Sequence, residues 1–303
     1  MHNEVNLVLA SNEAGAYGLV VTVRSVLEHC SCKCNVYILS SKIPKKIQDQ
    51  LKESWNTDVT GQIQFIEVNP KIVKNFRVIL HLRHKETYLR LFLGDLLPPE
   101  LERCIYLDID LLVTDDICQF NQADLQGNWI GAMLDVSAPD PQAQEARHKL
   151  LALQHPEKYF NGGVLLVDLT AWREHKITEK SVIYAKDNYD NLSAADQDVL
   201  NAILQGKWLQ LEQRWNISQY KRELTSSHKG IIHLIGPYKP WHADYDWKFK
   251  QLFFEILDKT VFKGWRPVKA FGLASIYWKL YHKTPTLELI RGKFRREIKK
   301  LRK

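Results

Sequence analysis

The stretch "RCIYLDIDLLVTDD", residues 103–116, sets two carboxylates two positions apart inside an apolar run. Extended backbone alternates its side chains, so Asp108 and Asp110 are expected on one face of a strand, with Ile109 on the other. Like charges buried together are costly unless something positive compensates them. A hard divalent cation is the natural compensation. It prefers carboxylate oxygen, and Mg²⁺ or Mn²⁺ commonly bridges protein carboxylates to substrate phosphates. The plain alternative is a pair of strand-end acids or helix caps, since a lone D-x-D recurs by chance. The flanking "IYL" and "LLV" favour chemistry, because exposed acids seldom sit between two apolar triplets. A phosphatase-type nucleophile also occupies a D-x-D at a strand end. It would open the domain on its first strand, whereas here three strands precede it and position 112 is Leu.

An α/β framework is expected to position the pair. Residues 5–11, 35–41 and 63–69 read as strands, and the stretch around Asp108 as a fourth. Between them, "AYGLVVTVRSVLEHC" places Leu19, Val20, Val23, Val26 and Leu27 on one helical face. "IPKKIQDQLKESW" is an amphipathic helix with Pro44 in its first turn, and residues 86–98 read as a helix stopped by Pro98 and Pro99. Strands alternating with helices imply parallel pairing, and ligands then sit beyond the carboxyl ends of the strands. Further on, 129–136 and 161–169 read as strands, and 230–242 as a short strand entering a loop rich in Pro and Gly. Residues 194–206 read as a helix with Ser193 as N-cap, Val199, Leu200, Ile203 and Leu204 as the buried stripe, and Gly206 as its end.

The 303 residues suffice for one large α/β domain or two smaller ones, and 45% hydrophobic residues mark a globular chain. The net charge of +7 is uneven: from Lys263 on there are 13 Lys and Arg against Glu288 and Glu297, so that segment carries +11 and the rest −4. The basic end also holds Phe271, Tyr277, Trp278 and Tyr281, which suit a membrane interface with anionic head groups. Nothing in the body reads as a nucleic-acid module. Three of the five cysteines lie in "CSCKC", a poor disulfide framework and a poor zinc spacing, so all five are expected as free thiols in a reducing compartment. The N-terminus lacks the basic and apolar regions of a signal peptide, and no window approaches ~18 uninterrupted apolar residues.

"YLDIDLLV", "YFNGGVLLVDLTAWR", "AADQDVLNAIL", "WN" at 215–216 and "IIHLIGPYKPWH" occur in the order found in family 8 glycosyltransferases. Over about residues 5 to 250 the chain resembles this family, above all the bacterial lipopolysaccharide galactosyl- and glucosyltransferases; glycogenin is a more distant likeness. The resemblance implies an α/β GT-A fold, with a mixed, mostly parallel sheet flanked by helices. It implies a retaining, metal-dependent hexosyltransferase that takes a UDP-hexose donor and Mn²⁺, with Mg²⁺ as a substitute. The acceptor it implies is lipopolysaccharide or another cell-surface glycan. It assigns Asp108, Asp110 and His233 to the metal. The donor falls to Ala10, Asn12, Arg90, Ile109, Asn161, Gly162, Gly236 and Lys239 beside the metal carboxylates. Asp196 and Gln197 are placed at the sugar as catalytic residues, projecting from an exposed first helical turn, and Asp135 is a weaker acceptor candidate.

The resemblance thins in the first loop. Family members often carry Asp-x-Asn-Tyr there to bind and stack uracil, where this chain has Asn12, Glu13, Ala14 and Gly15, with Tyr17 as the nearest substitute ring. UDP is nonetheless the expected nucleotide. A double displacement wants a carboxylate at the anomeric carbon, and the residue expected there is Gln197, an amide, which favours front-face attack. The chain is thus expected to form a GT-A domain over 1–260 and a basic, membrane-associating extension over 261–303. It is expected to work in the cytoplasm, on the inner face of the cell membrane. A metal-dependent phosphotransferase and an inactive sugar- or membrane-binding homologue are the rival readings.

Overall fold

The computed structural model describes residues 4–78, 85–136, 141–236, 238–243, 245–246 and 248–268. The chain forms two compact units, one of Met1–Trp241 with Tyr245–Trp265 and one of His242–Asp244 with Arg266–Lys303. Nearly all of the second unit, including Phe271, Tyr277, Trp278 and Tyr281, lies outside the described residues. Among the described residues no helix is long and apolar enough to cross a membrane.

The first unit is built on two sheets. The strands are β1 Glu4–Ser11, β2 Lys33–Ser40, β3 Thr60–Glu67, β4 Arg103–Leu107, β5 Leu111–Val113, β6 Ile130–Leu134, β7 Phe160–Asp168, β8 Trp208–Gln210, β9 Ile217–Ser218 and β10 Ile231–His233. Seven form a sheet in the order β3-β2-β1-β4-β7-β6-β8, and β5-β10-β9 form a second, three-stranded sheet. Pairing is parallel from β3 through β4, as the strand–helix alternation predicts. Uniform parallel pairing then fails, because β7 runs antiparallel to both β4 and β6. The sheet is therefore mixed and mostly parallel.

Alternation along the central strands divides the core. Val5, Leu7 and Leu9 of β1 face one apolar cluster with Ile105 and Leu107 of β4; Val8 and Ala10 face the other with Cys104 and Tyr106. The helix Ala16–His29 covers the first face through Leu19, Val20, Val23, Val26 and Leu27, the stripe its sequence predicts. Burying such aliphatic side chains contributes roughly 1.5–3 kcal/mol each before the entropy of ordering them is counted.

Four expectations need correction. The single strand through Asp108 and Asp110 is two strands in two sheets. The backbone changes partner there: Asp108 N donates to Gly163 O at 2.8 Å on the β7 side, while Leu234 N, just beyond β10, donates to Asp110 O at 2.9 Å. The helix over 86–98 is mainly a 3-10 helix, Lys85–Phe92, followed by one α-turn, Leu93–Leu96. The later helix spans Ala195–Ile203, short of Gly206, and Ser193 does not cap it. Asp198 reaches back instead, accepting from Ser193 N at 2.5 Å and Ala194 N at 2.7 Å. Finally, Cys32 and Cys118 form a disulfide, while Cys30, Cys34 and Cys104 are free and buried. The spacing within "CSCKC" is silent on a partner 86 residues away, brought in by the helix Ile117–Asn121.

Candidate active site

The metal candidates converge from both sheets. Asp108 follows β4, Asp110 precedes β5 and His233 closes β10. Their ligand atoms all lie within 4.8 Å of one another, and His233 Nε2 is 3.3 Å from Asp110 Oδ1. Carboxylate oxygen with one imidazole nitrogen suits a divalent cation such as Mn²⁺. Gly163 keeps the space between them open. A Cβ there would stand 2.4 Å from His233 Cε1 and 2.8 Å from Asp108 Oδ2, so any larger residue would fill the cradle.

Each carboxylate also has a protein cation of its own, so a bound metal is not the sole source of compensating charge. Arg90 Nη2 donates to Asp108 Oδ1 at 2.7 Å, and Lys239 Nζ donates to Asp110 Oδ2. Burial works to raise the Asp110 pKa, but Lys239 and His233 outweigh it and hold the group well below the ordinary carboxylate range. Lys239 Nζ also donates to Leu234 O at 2.9 Å, which pins the loop after β10 over Asp110. In that loop Gly236 adopts φ 116°, a conformation only glycine takes without strain, and a Cβ would meet Tyr220 Oη at 2.5 Å.

Arg90 is the hub on the other side. It is 4% exposed and grips two acids: Asp108, and Asp196 through Nε at 2.6 Å. It donates further to Thr87 Oγ1 at 2.8 Å and to Gly162 O, and its guanidinium lies over the Tyr106 ring at 4.6 Å. Burial opposes its charge, yet Asp108 and Asp196 hold the guanidinium protonated more firmly than usual. Asp196 does not project from an exposed turn. It is 2% exposed, and burial pushes its pKa up to about 6 against the pull of Arg90 and Thr87, whose Oγ1 lies 2.8 Å away. The exposed-turn expectation misses the packing of this helix against Lys85–Phe92.

Gln197 stands beside it with both ends of its amide engaged. Oε1 accepts from Gly162 N at 2.9 Å, and Nε2 donates to Asp135 Oδ2 at 2.8 Å. Asp135 therefore joins the cluster through Gln197. Asn161 Oδ1 accepts from Gly163 N and from Asn216 Nδ2, both at 2.9 Å, and His233 Nδ1 lies 3.0 Å from Asn216 Oδ1. Ile109 packs into the first core cluster between the two acids, and Ala10 is buried at the carboxyl end of β1. Asn12 caps the short 3-10 turn Glu13–Gly15, accepting from Ala14 N at 3.0 Å. Tyr17, the substitute ring for the base, is stacked on Trp265 with centroids 3.5 Å apart.

The site thus joins Arg90, Asp108, Asp110, Asp135, Asn161, Gly162, Asp196, Gln197, His233 and Lys239 in one cluster of hydrogen bonds and ion pairs. Thr87 and Asn216 belong to it and were missed. Asn216 lies in the "WN" pair that carries part of the family resemblance, whereas nothing in the sequence marks Thr87.

Comparison with known proteins bears on this cluster. The family model described as "Glycosyl transferase family 8" matches residues 6–245. General stress protein A of Bacillus subtilis is 30% identical over 243 residues, covering 74% of this chain and 82% of that protein. The lipopolysaccharide 1,2-glucosyltransferase of Escherichia coli is 35% identical over 170 residues, covering 51% and 48%. Among solved structures, that of galactosyltransferase LgtC in complex with donor and acceptor sugar analogs superposes with a TM-score of 0.74 at 28% identity, covering 85% of this chain and 96% of that one.

Proposed function

The chain belongs to glycosyl transferase family 8 and is a glycosyltransferase of the GT-A fold; from that footing we propose that it moves glucose or galactose from a UDP-hexose to a glycan hydroxyl, with retention at the anomeric carbon and with Mn²⁺ in the site. The observation that carries this reading is the convergence of Asp108, Asp110 and His233 around space that Gly163 keeps open. A divalent cation held by these three residues would neutralise the donor diphosphate and stabilise UDP as it leaves.

The remaining work falls to the chain itself. Lys239 adds a point charge for the diphosphate, and Gly236 lets backbone N–H groups approach it. Arg90 and Asp196 hold the sugar end, where a carboxylate accepts from hydroxyls and a guanidinium fixes the geometry. Gln197 lies at the reactive face. Its oxygen is tied to Gly162 N, which makes an already poor nucleophile poorer and supports front-face attack, with the departing phosphate taking the acceptor's proton. The acceptor in this reading is lipopolysaccharide or another cell-surface glycan, in keeping with the E. coli relative. The basic segment 261–303 holds the enzyme to the inner membrane face.

The test is UDP release from UDP-glucose and UDP-galactose with and without Mn²⁺, followed by NMR of the product anomer. Release that requires Mn²⁺ and a retained anomer support the reading; metal-independent release or an inverted product overturns it.

A further inference from the structure

Beyond the metal candidates, the carboxyl ends of β1, β2 and β3 open onto a cavity of about 360 Å³. Val68, Val73 and Leu89 give it apolar walls, and Asn12, Ser41, Lys85 and Glu86 supply its polar groups. The segment Lys85–Phe92 lends Glu86 and Leu89 to this cavity and Thr87 and Arg90 to the carboxylate cluster, so one element borders both. A cavity with apolar walls and a few convergent polar groups, at the carboxyl ends of parallel strands, suits a nucleobase.

Among the described residues Glu86 is the one acid on the cavity wall. Ser41 Oγ donates to its Oε1, which fixes the carboxylate and engages one of its two oxygens. We propose that Glu86, oriented by Ser41, is the residue that reads the base, and that it selects uracil. This rests on the donor reading above.

An ionised carboxylate accepts hydrogen bonds and donates none. Uracil presents a ring N–H between two carbonyls, and Glu86 can accept it. Cytosine and adenine present an unprotonated ring nitrogen at the same place, so two lone pairs would face each other. Guanine carries a ring N–H with an amino group beside it, a pair best met by both oxygens of a carboxylate. With Oε1 engaged by Ser41, the geometry favours the base with a single donor.

The experiment is calorimetric titration of UDP, CDP and GDP, in saturating Mn²⁺, into the full-length protein and its E86Q and S41A variants. Wild type is expected to bind UDP most tightly. E86Q should lose about tenfold to a hundredfold in UDP affinity, the range for a hydrogen bond to a charged group. It should also bring the UDP:CDP ratio close to one, because a Gln amide both donates and accepts. S41A should narrow the ratio in the same direction by less. A folded E86Q that keeps the wild-type UDP:CDP ratio overturns the proposal, as does wild type binding GDP more tightly than UDP. If E86Q fails to fold, an unchanged ratio in S41A overturns it instead. Failure of every nucleotide to bind wild type overturns the donor reading itself, a distinguishable result.

Discussion

His233 Nδ1 lies 3.0 Å from Asn216 Oδ1, and a backbone amide decides which of them donates. Gly163 N can only donate, and does so to Asn161 Oδ1; the same oxygen accepts from Asn216 Nδ2. Asn216 therefore turns its own oxygen to His233 and receives the proton on Nδ1. Nε2 is then the nitrogen that faces Asp110 and the metal cradle, and it is the one through which a bound cation would be held. Asn216→Ala should weaken Mn²⁺ affinity about tenfold to a hundredfold, the usual cost of losing a partner behind a metal ligand. Mn²⁺ titration followed by electron paramagnetic resonance checks this; affinity within twofold of wild type would count against it.

Asp108→Asn and Asp110→Asn should each remove Mn²⁺-dependent UDP binding, by about two orders of magnitude or more. Both side chains are held by hydrogen bonds that an amide keeps in part, so far-UV circular dichroism should match wild type. Calorimetric titration with and without Mn²⁺ separates the loss of metal-dependent binding from any general loss of affinity.

Arg90→Lys should destabilise the fold despite retaining the charge. Arg90 reaches Asp108, Asp196, Thr87 and Gly162 at once through a planar fork, which an ammonium cannot span. One acid is then left buried without its partner, at a cost of about 3 kcal/mol. Urea unfolding of the two proteins would show this as a lowered midpoint at unchanged slope.

The raised pKa of Asp196 sets a pH dependence of known sign. Its ordinary value is 3.8 and the fold pushes it to about 6, so between these values the folded state holds more protons than the unfolded chain. This group's contribution to stability therefore improves as pH falls from 6 toward 4, and its penalty is complete above 6. Asp196→Asn removes the titration. The melting temperature of wild type relative to this variant should rise as pH is lowered from 7 to 4.5; a constant difference would show that Asp196 does not titrate there.

The Cys32–Cys118 disulfide spans a sequence separation of 86 residues. Closing a loop of that length restricts the unfolded chain by about 4.5 kcal/mol. Cys118→Ser should lower the calorimetric melting temperature, and adding a reductant to wild type should lower it to the same degree.

How much of this was legible in the sequence depends on whether the signal was local. The D-x-D, the Asn-Gly-Gly turn and the His233–Lys239 loop lie in short ordered motifs, and the structure gathers them. The stripe on Ala16–His29 was readable because a helix repeats its face every turn. Four features were not readable, each for want of a long-range contact. Asp108 and Asp110 look like one strand until β7 is seen to take the backbone before them and β10 the backbone after them. Asp196 looks like a first-turn surface acid until Arg90 is packed over it. Cys118 gives no hint of Cys32, and Thr87 gives none of Asp196.

The change of partner between Leu107 and Leu111 has a mechanical side. Asp108 is fastened to the large sheet through Gly163, and Asp110 to the small one through Leu234. The carboxylates are thus rivets on opposite sides of a seam, with His233 on the small-sheet side. Whatever they hold in common stitches the two sheets together, so occupancy of the site is felt as stiffness in β9 and β10. Amide hydrogen exchange in those strands should slow when the seam is closed, and the benefit should vanish once either rivet is replaced.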